Sequence, residues 1–547
     1  MKRKFTLSLM TLFALAFLCG AAWTGFNKYF EITRNIEIFS NVYKEINANY
    51  VDQTDPSRLM KTGIDAMLKS LDPFTNYISE AQIENYRLAI EGKYNGIGAK
   101  ARKIGDYVTI TEIYQDYPAH KAGLRIGDLV LSVNGLDAKG KDSEDLYQIM
   151  RGMPKSEVDV VVLRPGEKQP RTLKLIRDEV NIPNVPYSTI LPDSVGYIVL
   201  ATFSENAGKN VQDALSKLKS GHPGMKAVIL DLRDNGGGLL HEAVNVCNTF
   251  IPQGQLISST RGKLKEHDQV YHTRMSAIDE QIPLAVLING QSASASEIVS
   301  GAIQDLDRGI VIGQISYGKG LVQNTKDVGY NAKVKLTIAK YYIPSGRCIQ
   351  SVSYDAEGNK IHLPDSLKSE FKTRNGRTVF DGGGVMPDVE VLDANYPPII
   401  NKLIEQNHIF NYVTRYCLNH PAPADPSGFE FTEVDDFIKY LKETRFDDQS
   451  PLDKKIEELD SVARAFPDLK LDRELSVLRS SIDQDQWKQI EKHKSRIAQV
   501  IGESIVERSH FERGLLINRL VHDPLIREAN RILLDPARYK GILKQKG

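Results

Sequence analysis

The chain has 547 residues, which at roughly 150 residues per domain implies about three to four domains and excludes a single small module. Lys plus Arg and Asp plus Glu both number 70, so no basic surplus meets the counterion cost of a nucleic-acid binder, and no nucleic-acid partner is expected. Charged residues at 26% and hydrophobic ones at 41% are the proportions of a globular protein and exclude a fibrous or wholly disordered chain. Cys19, Cys247, Cys348 and Cys417 lie far apart without C-x-x-C spacing, so neither a disulfide scaffold nor a zinc module is expected.

Residues 1–30 read as a signal peptide or membrane anchor, because Lys2, Arg3 and Lys4 precede an uncharged run from Phe5 to Asn27. The run is long enough to span a bilayer, and Gly20, Ala21 and Ala22 offer a small-residue cleavage site. Phe17 and Leu18 before Cys19 do not fit a lipoprotein signal. Cations on the near side put the body of the chain outside the cytoplasm. The expected location is periplasmic or cell-envelope, with attachment to the inner membrane favoured over release.

Residues 31–92 read as a helical lead-in, with Ile36, Phe39, Tyr43, Ile46 and Tyr50 at helical spacing and a second run from Leu59 to Leu71 after Pro56. Residues 93–178 change to short β-branched runs separated by Gly, Asp and Pro turns, such as Tyr107 to Ile113 and Val158 to Leu163, and form a compact β-rich module. Residues 179–394 read as an α/β domain, because strand-like runs (Ala227 to Leu232, Leu284 to Ile288, Ile310 to Gly313) alternate with helical stretches near Ala207 to Leu218 and Leu239 to Phe250. Residues 395–547 are an all-α extension, best marked by Val434, Phe437, Ile438 and Leu441 behind a Thr432 to Asp435 cap pattern. It carries no readable motif, and capping the α/β domain, self-association and binding a regulatory adaptor are all open to it.

Three segments of the α/β domain carry chemistry. In Asp231-Leu232-Arg233-Asp234-Asn235-Gly236-Gly237-Gly238 a buried strand ends in glycines that let backbone N–H groups approach a ligand. Ser292-Ala293-Ser294-Ala295-Ser296-Glu297 puts small hydroxyls and free N–H groups at a helix N-terminus, although the serines could serve only as caps. Tyr317-Gly318-Lys319-Gly320-Leu321-Val322-Gln323 flanks a lysine with glycines before a strand. Gly313 to Lys319 also matches G-x-x-x-x-G-K, but Gly320 stands where a phosphate loop needs Ser or Thr, and a strand follows where a helix should. A Ser-His-Asp hydrolase is disfavoured, since Gly290 to Ser294 lacks the last glycine of G-x-S-x-G and His241 is a lone histidine. No histidine spacing suits a metal.

Together these segments resemble the carboxyl-terminal processing peptidases, or tail-specific proteases. The similarity extends through Leu71-Asp72-Pro73-Phe74-Thr75, Pro344-Ser345-Gly346-Arg347 and Gly384-Val385-Met386-Pro387-Asp388, covering about Ile36 to Val391. The resemblance implies a ClpP/crotonase-like α/β protease domain with a PDZ domain, no cofactor and no metal. It further implies Ser294 as nucleophile, Lys319 as general base, Gln323 orienting that lysine, and an oxyanion hole from the N–H groups of Ala295 and of Gly237 or Gly238. For Lys319 to accept a proton its pKa of about 10.4 must fall by roughly three units, about 4 kcal/mol, through burial. The β-rich module resembles a PDZ domain whose Gly96, Ile97 and Gly98 stand in the carboxylate-binding loop, which implies protein or peptide substrates with free C-termini. Cys348 stands where the family often has Ser, and the insertion from Asp355 to Phe380 is expected to alter the cleft rim. The non-enzymatic alternative is a PDZ adaptor with an inactive protease domain.

Overall fold

A computed structural model describes residues 29–544 except 142–145, 147–148, 351, 355–359, 363, 392–395, 445, 447–450, 465 and 467–470. The expected signal or anchor therefore lies almost wholly outside the described residues. Among those residues no helix is long and apolar enough to cross a membrane.

The lead-in is helical over 29–49 and Pro56–Lys69. Asp55 caps the second helix by accepting the Ser57 and Arg58 N–H groups, with Pro56 suited to the first position because it has no N–H to satisfy. Ile36, Phe39, Ile46 and Tyr50 remain exposed. Beyond these helices the Asp72 carboxylate accepts the N–H groups of Phe74 and Thr75, each at 2.8 Å. This turn delivers the short strand Asn76–Ile78 to the strand Ala332–Tyr342 of the α/β domain.

The β-rich module is a six-stranded antiparallel sheet running from Ala99–Ile104 to Arg171–Ile176. Its alternation is clearest in Glu157–Leu163, where Val158, Val160 and Val162 are buried between more exposed neighbours. Arg164 donates twice to the buried Asp128 carboxylate, each bond 2.9 Å, which compensates the two desolvated charges. Lys93–Gly96 leaves this sheet and pairs with Asp178–Asn181, the strand that leads into the α/β domain.

That domain centres on a six-stranded sheet in which Tyr187–Leu191 pairs antiparallel with Val195–Val199. Ala227–Asp231, Leu284–Ile288, Ile310–Gly313 and Val389–Glu390 follow in parallel. Every residue of Ala227–Asp231 and Leu284–Ile288 is buried, as expected of central strands covered on both faces. Ala207–Gly221, Leu240–Cys247 and Ala295–Asp305 contribute to the core on one face. The strands begin at Ala227, Leu284 and Ile310, where the sequence places them.

The C-terminal extension departs from a uniform appendix. Its own core joins Leu403, Tyr412, Phe437, Leu441, Ile497 and Ile501. Its helix Pro524–Leu533, however, lays Leu525, Ile526, Ala529, Ile532 and Leu533 on Tyr197, Ile229, Leu287 and Ile312, covering the second face of the six-stranded sheet. Val434–Glu443 buries Val434, Phe437, Ile438 and Leu441, as its spacing predicts. The expected Thr432 cap does not form: Glu433 is the N-cap without a side-chain cap bond, and its carboxylate instead accepts the Tyr416 hydroxyl at 2.8 Å. The insertion places Glu370–Lys372 and Thr378–Phe380 as a hairpin, and between these strands Arg377 pairs with Asp307 and Asp388. It thus braces the far end of the helix Ala295–Asp305.

Candidate active site

The strand Ala227–Asp231 ends in a turn joined to the serine segment by one buried residue, Asn235. Asn235 donates from Nδ2 to the Leu200 carbonyl at 2.6 Å, and its own carbonyl accepts the Ala293 N–H at 3.0 Å and the Ser296 hydroxyl at 2.8 Å. Asn235 Oδ1 also accepts the Gly237 N–H at 2.9 Å. Gly237 has φ 99°, and a Cβ there would stand 2.7 Å from the Ala293 carbonyl oxygen and 2.8 Å from Ser294 Cβ. Only glycine lets the turn approach the serine this closely. Its N–H is given to Asn235 Oδ1, so Gly237 packs against Ser294 with its donor already used. Gly238 is exposed, its N–H donates to no described protein group, and Ala295 opens the adjacent helix, where first-turn N–H groups have no intrahelical acceptor.

The three serines separate by environment. Ser292 is fully buried and donates to the Leu232 carbonyl at 2.7 Å. Ser296 is fully buried and bound to Asn235. Ser294 is only half-buried and sits at φ 56°, ψ −111°, a conformation an L-residue holds at a cost of order 1–3 kcal/mol. Its side chain is thereby turned out of the helix start.

The lysine segment forms the opposite wall. Gly320 donates to Gln350 Oε1 at 2.6 Å, and a Cβ on it would stand 2.6 Å from the Gln350 nitrogen, which explains the second glycine. Burial, then the nearby Lys335 charge, push the Lys319 ammonium down to about 8. Its Nζ lies over the Phe74 ring, 4.4 Å from the centroid. Among the described residues no hydrogen bond joins it to Ser294 or Gln323; Gln323 donates to Thr337 Oγ1 at 3.2 Å. Thr337 in turn donates its N–H to Thr75, whose hydroxyl donates to Asp72. The Asp72 turn is therefore part of the site.

One carboxylate spans both walls. Fully buried Glu297 accepts the Ser294 N–H at 2.7 Å, the Lys319 N–H at 2.9 Å, the Gly318 N–H at 2.7 Å and the Ser316 hydroxyl at 2.5 Å. Burial pushes its pKa up against the opposing pull of these donors. Buried Tyr341 repeats the bridge with its hydroxyl, 3.0 Å from the Ser294 carbonyl oxygen and 2.7 Å from that of Lys319.

The sequence reading assigned no role to Glu297, Tyr341, Phe74, Thr337 or Lys335. A glutamate three residues after a serine is a capping-box signal that pointed to Glu297, and Phe74 lies in the Leu71 to Thr75 segment that carries the resemblance; Tyr341, Thr337 and Lys335 had no local signal. His241 is 63% exposed and lies 3.6 Å from Glu242, with no contact to Ser294. Among the described residues no cluster of three or more His, Cys, Asp or Glu could hold a metal.

In the PDZ-like module the Ile97 and Gly98 carbonyls accept from Ala119 at 2.7 Å and Tyr114 at 3.0 Å, while their own N–H groups donate to no described protein group. Gly98 has φ 79°, and a Cβ there would collide with Tyr117 at 2.4 Å.

Residues 194–357 match the model of peptidase family S41, residues 109–164 that of a PDZ domain, and residues 399–533 that of a probable PDZ-protease C-terminal helical domain. A carboxy-terminal-processing protease of Bartonella bacilliformis is 33% identical over 63% of this chain and 78% of its own. A probable CtpA-like serine protease of Staphylococcus aureus is 33% identical over 58% of this chain and 62% of its own. A solved photosystem II D1 C-terminal processing protease is 28% identical over 64% of this chain and 92% of its own, with a TM-score of 0.35.

Proposed function

The chain belongs to the carboxy-terminal-processing serine proteases of peptidase family S41, and from that membership we propose that it is an exported endopeptidase working through Ser294 and Lys319. In this mechanism neutral Lys319 takes the Ser294 hydroxyl proton as Oγ attacks the scissile carbonyl. The Gly238 and Ala295 N–H groups hold the resulting oxyanion, a role worth about 3–4 kcal/mol per donor in comparable enzymes. Lys319 then returns the proton to the leaving amine and activates the water that releases the acyl group. Gln323, four residues after Lys319 and held by its bond to Thr337 on the paired strand, is the residue to which family membership assigns the orienting of the lysine.

The observation that carries this reading is the Glu297 clamp, which holds the backbones of Ser294 and Lys319 on one carboxylate. The PDZ-like loop supports selection of substrates by their C-terminal carboxylate. Export, with the Phe5 to Asn27 run retained as an inner-membrane anchor, is supported by the three cations before that run. The deciding experiment compares cleavage of an unfolded protein with a free C-terminus by the unmodified chain, Ser294→Ala and Lys319→Ala. Each substitution is expected to lower turnover by about 10⁴-fold or more with the fold intact. Cleavage surviving in Ser294→Ala would sink the assignment. For export, fractionation with N-terminal sequencing should find the protein membrane-bound with its first segment in place; a mature chain starting near Trp23 in the soluble periplasm would refute anchoring.

A further inference from the structure

The oxyanion turn has a second tether, and it comes from the C-terminal extension. Arg233, four residues before Gly237, donates from its backbone N–H to Asp231 at 3.0 Å and from Nη2 to the same carboxylate at 2.6 Å. Tyr197 donates its hydroxyl to that carboxylate at 2.6 Å. The other arm of the guanidinium, Nη1, donates to Asp523 Oδ2 at 2.6 Å. Asp523 is the N-cap of the helix Pro524–Leu533, and its second oxygen accepts the Leu525 and Ile526 N–H groups at 2.9 and 3.3 Å. One carboxylate thus starts the helix that covers the protease sheet and grips the residue that begins the turn.

The grip reaches the chemistry by short steps. Leu232, before Arg233, accepts the Ser292 hydroxyl; Asp234, after it, donates its N–H to Asn289 at 3.1 Å and accepts from the Asn289 amide at 2.9 Å. Asn235 then binds Ala293, Ser296 and Gly237. Arg233 and Asp523 line a cavity of about 780 Å³ between the strand ends and the helical domain. On that side the turn is held by an ion pair as well as by packing, and a pair this shielded keeps most of its directional strength.

We propose that Asp523 is a positioning residue for the oxyanion turn, so that full activity requires the C-terminal helical domain to be docked with its Asp523 carboxylate on Arg233. This rests on the assignment of Ser294 as nucleophile and of the adjoining turn as its oxyanion hole. Displacing catalytic groups by about 1 Å can cost on the order of a hundredfold in rate, so loss of the tether should act on turnover rather than on substrate affinity.

The test uses the full chain with Asp523→Ser, which keeps an N-cap acceptor but cannot reach Arg233, and Asp523→Asn, which keeps one acceptor for the helix start but turns an amide N–H2 donor toward Arg233. Steady-state kinetics on a peptide substrate, thermal melting and the labelling rate with a fluorophosphonate serine reagent are measured together. Asp523→Ser is expected to lower kcat by about ten- to a hundredfold with KM within about twofold, and to slow labelling. Asp523→Asn, which keeps the cap and loses the acceptor for Arg233, should show a comparable loss of kcat at a melting temperature close to that of the unmodified chain. Unchanged kcat in folded Asp523→Ser would overturn the proposal, as would a loss that tracks only the unfolded fraction. Ser294→Ala is the control: labelling or cleavage surviving in it would overturn the underlying assignment, an outcome separable from any behaviour of Asp523.

Discussion

Phe74 lies beneath Lys319, its ring centroid 4.4 Å from the ammonium nitrogen, although the two are carried by different parts of the chain. The ring acts in two opposed ways. As apolar bulk it excludes water and favours neutral lysine, while its π face stabilises the charged form by about 0.5–2 kcal/mol. Phe74→Leu keeps the bulk and loses the face, so the activity limb controlled by Lys319 should move to lower pH by about half a unit. Phe74→Ala admits water and should move it to higher pH. Shifts of the same sign in both variants would show that the ring does not act on the lysine in these two ways.

Lys335 supplies the second influence. With its pKa pushed down to about 8, Lys319 is neutral in about a tenth of molecules at pH 7, and activity should rise with pH through that value. Lys335→Gln removes a like charge, so the Lys319 pKa should climb and the limb move alkaline by roughly half to one unit. Activity at pH 7 falls several-fold and returns at higher pH. A limb that stays in place under matched ionic strength would exclude the charge effect.

The buried serines should read out as stability. Ser292→Ala removes the hydroxyl that donates to the Leu232 carbonyl and accepts the Asn289 N–H, and should cost about 1–3 kcal/mol. Ser296→Ala should cost less, because its hydroxyl only donates, to an Asn235 carbonyl that keeps the Ala293 N–H, and no N–H loses its acceptor. Denaturant midpoints rank the two, and both variants should still turn over substrate at a permissive temperature. A folded but inactive Ser292→Ala would contradict the assignment of Ser294.

The Ile97 and Gly98 N–H groups should contribute a charge-assisted contact of about 1.5–3 kcal/mol to a substrate carboxylate. Amidating the C-terminus of a peptide should raise its KM about ten- to a hundredfold at unchanged cleavage position. Equal kinetics for acid and amide would leave the module as a scaffold.

The order of elements and the three chemical segments were legible in the sequence because each is written locally. Glycines mark where backbone must approach closely, alternation marks the strands, and the spacing of Val434, Phe437, Ile438 and Leu441 marks a buried helix face. Tertiary structure decided the rest. It buried Ser292 and Ser296 while leaving Ser294 partly open, and it spent the Gly237 N–H on Asn235 so that Gly238 faces outward. It brought Phe74 and Lys335 to Lys319. It also turned the helix Pro524–Leu533 from part of an appendix into the cover of the protease sheet. Local pattern constrains a residue's own backbone over a turn or two, whereas burial, charge and hydrogen-bond partners depend on groups that are neighbours only after the chain has folded.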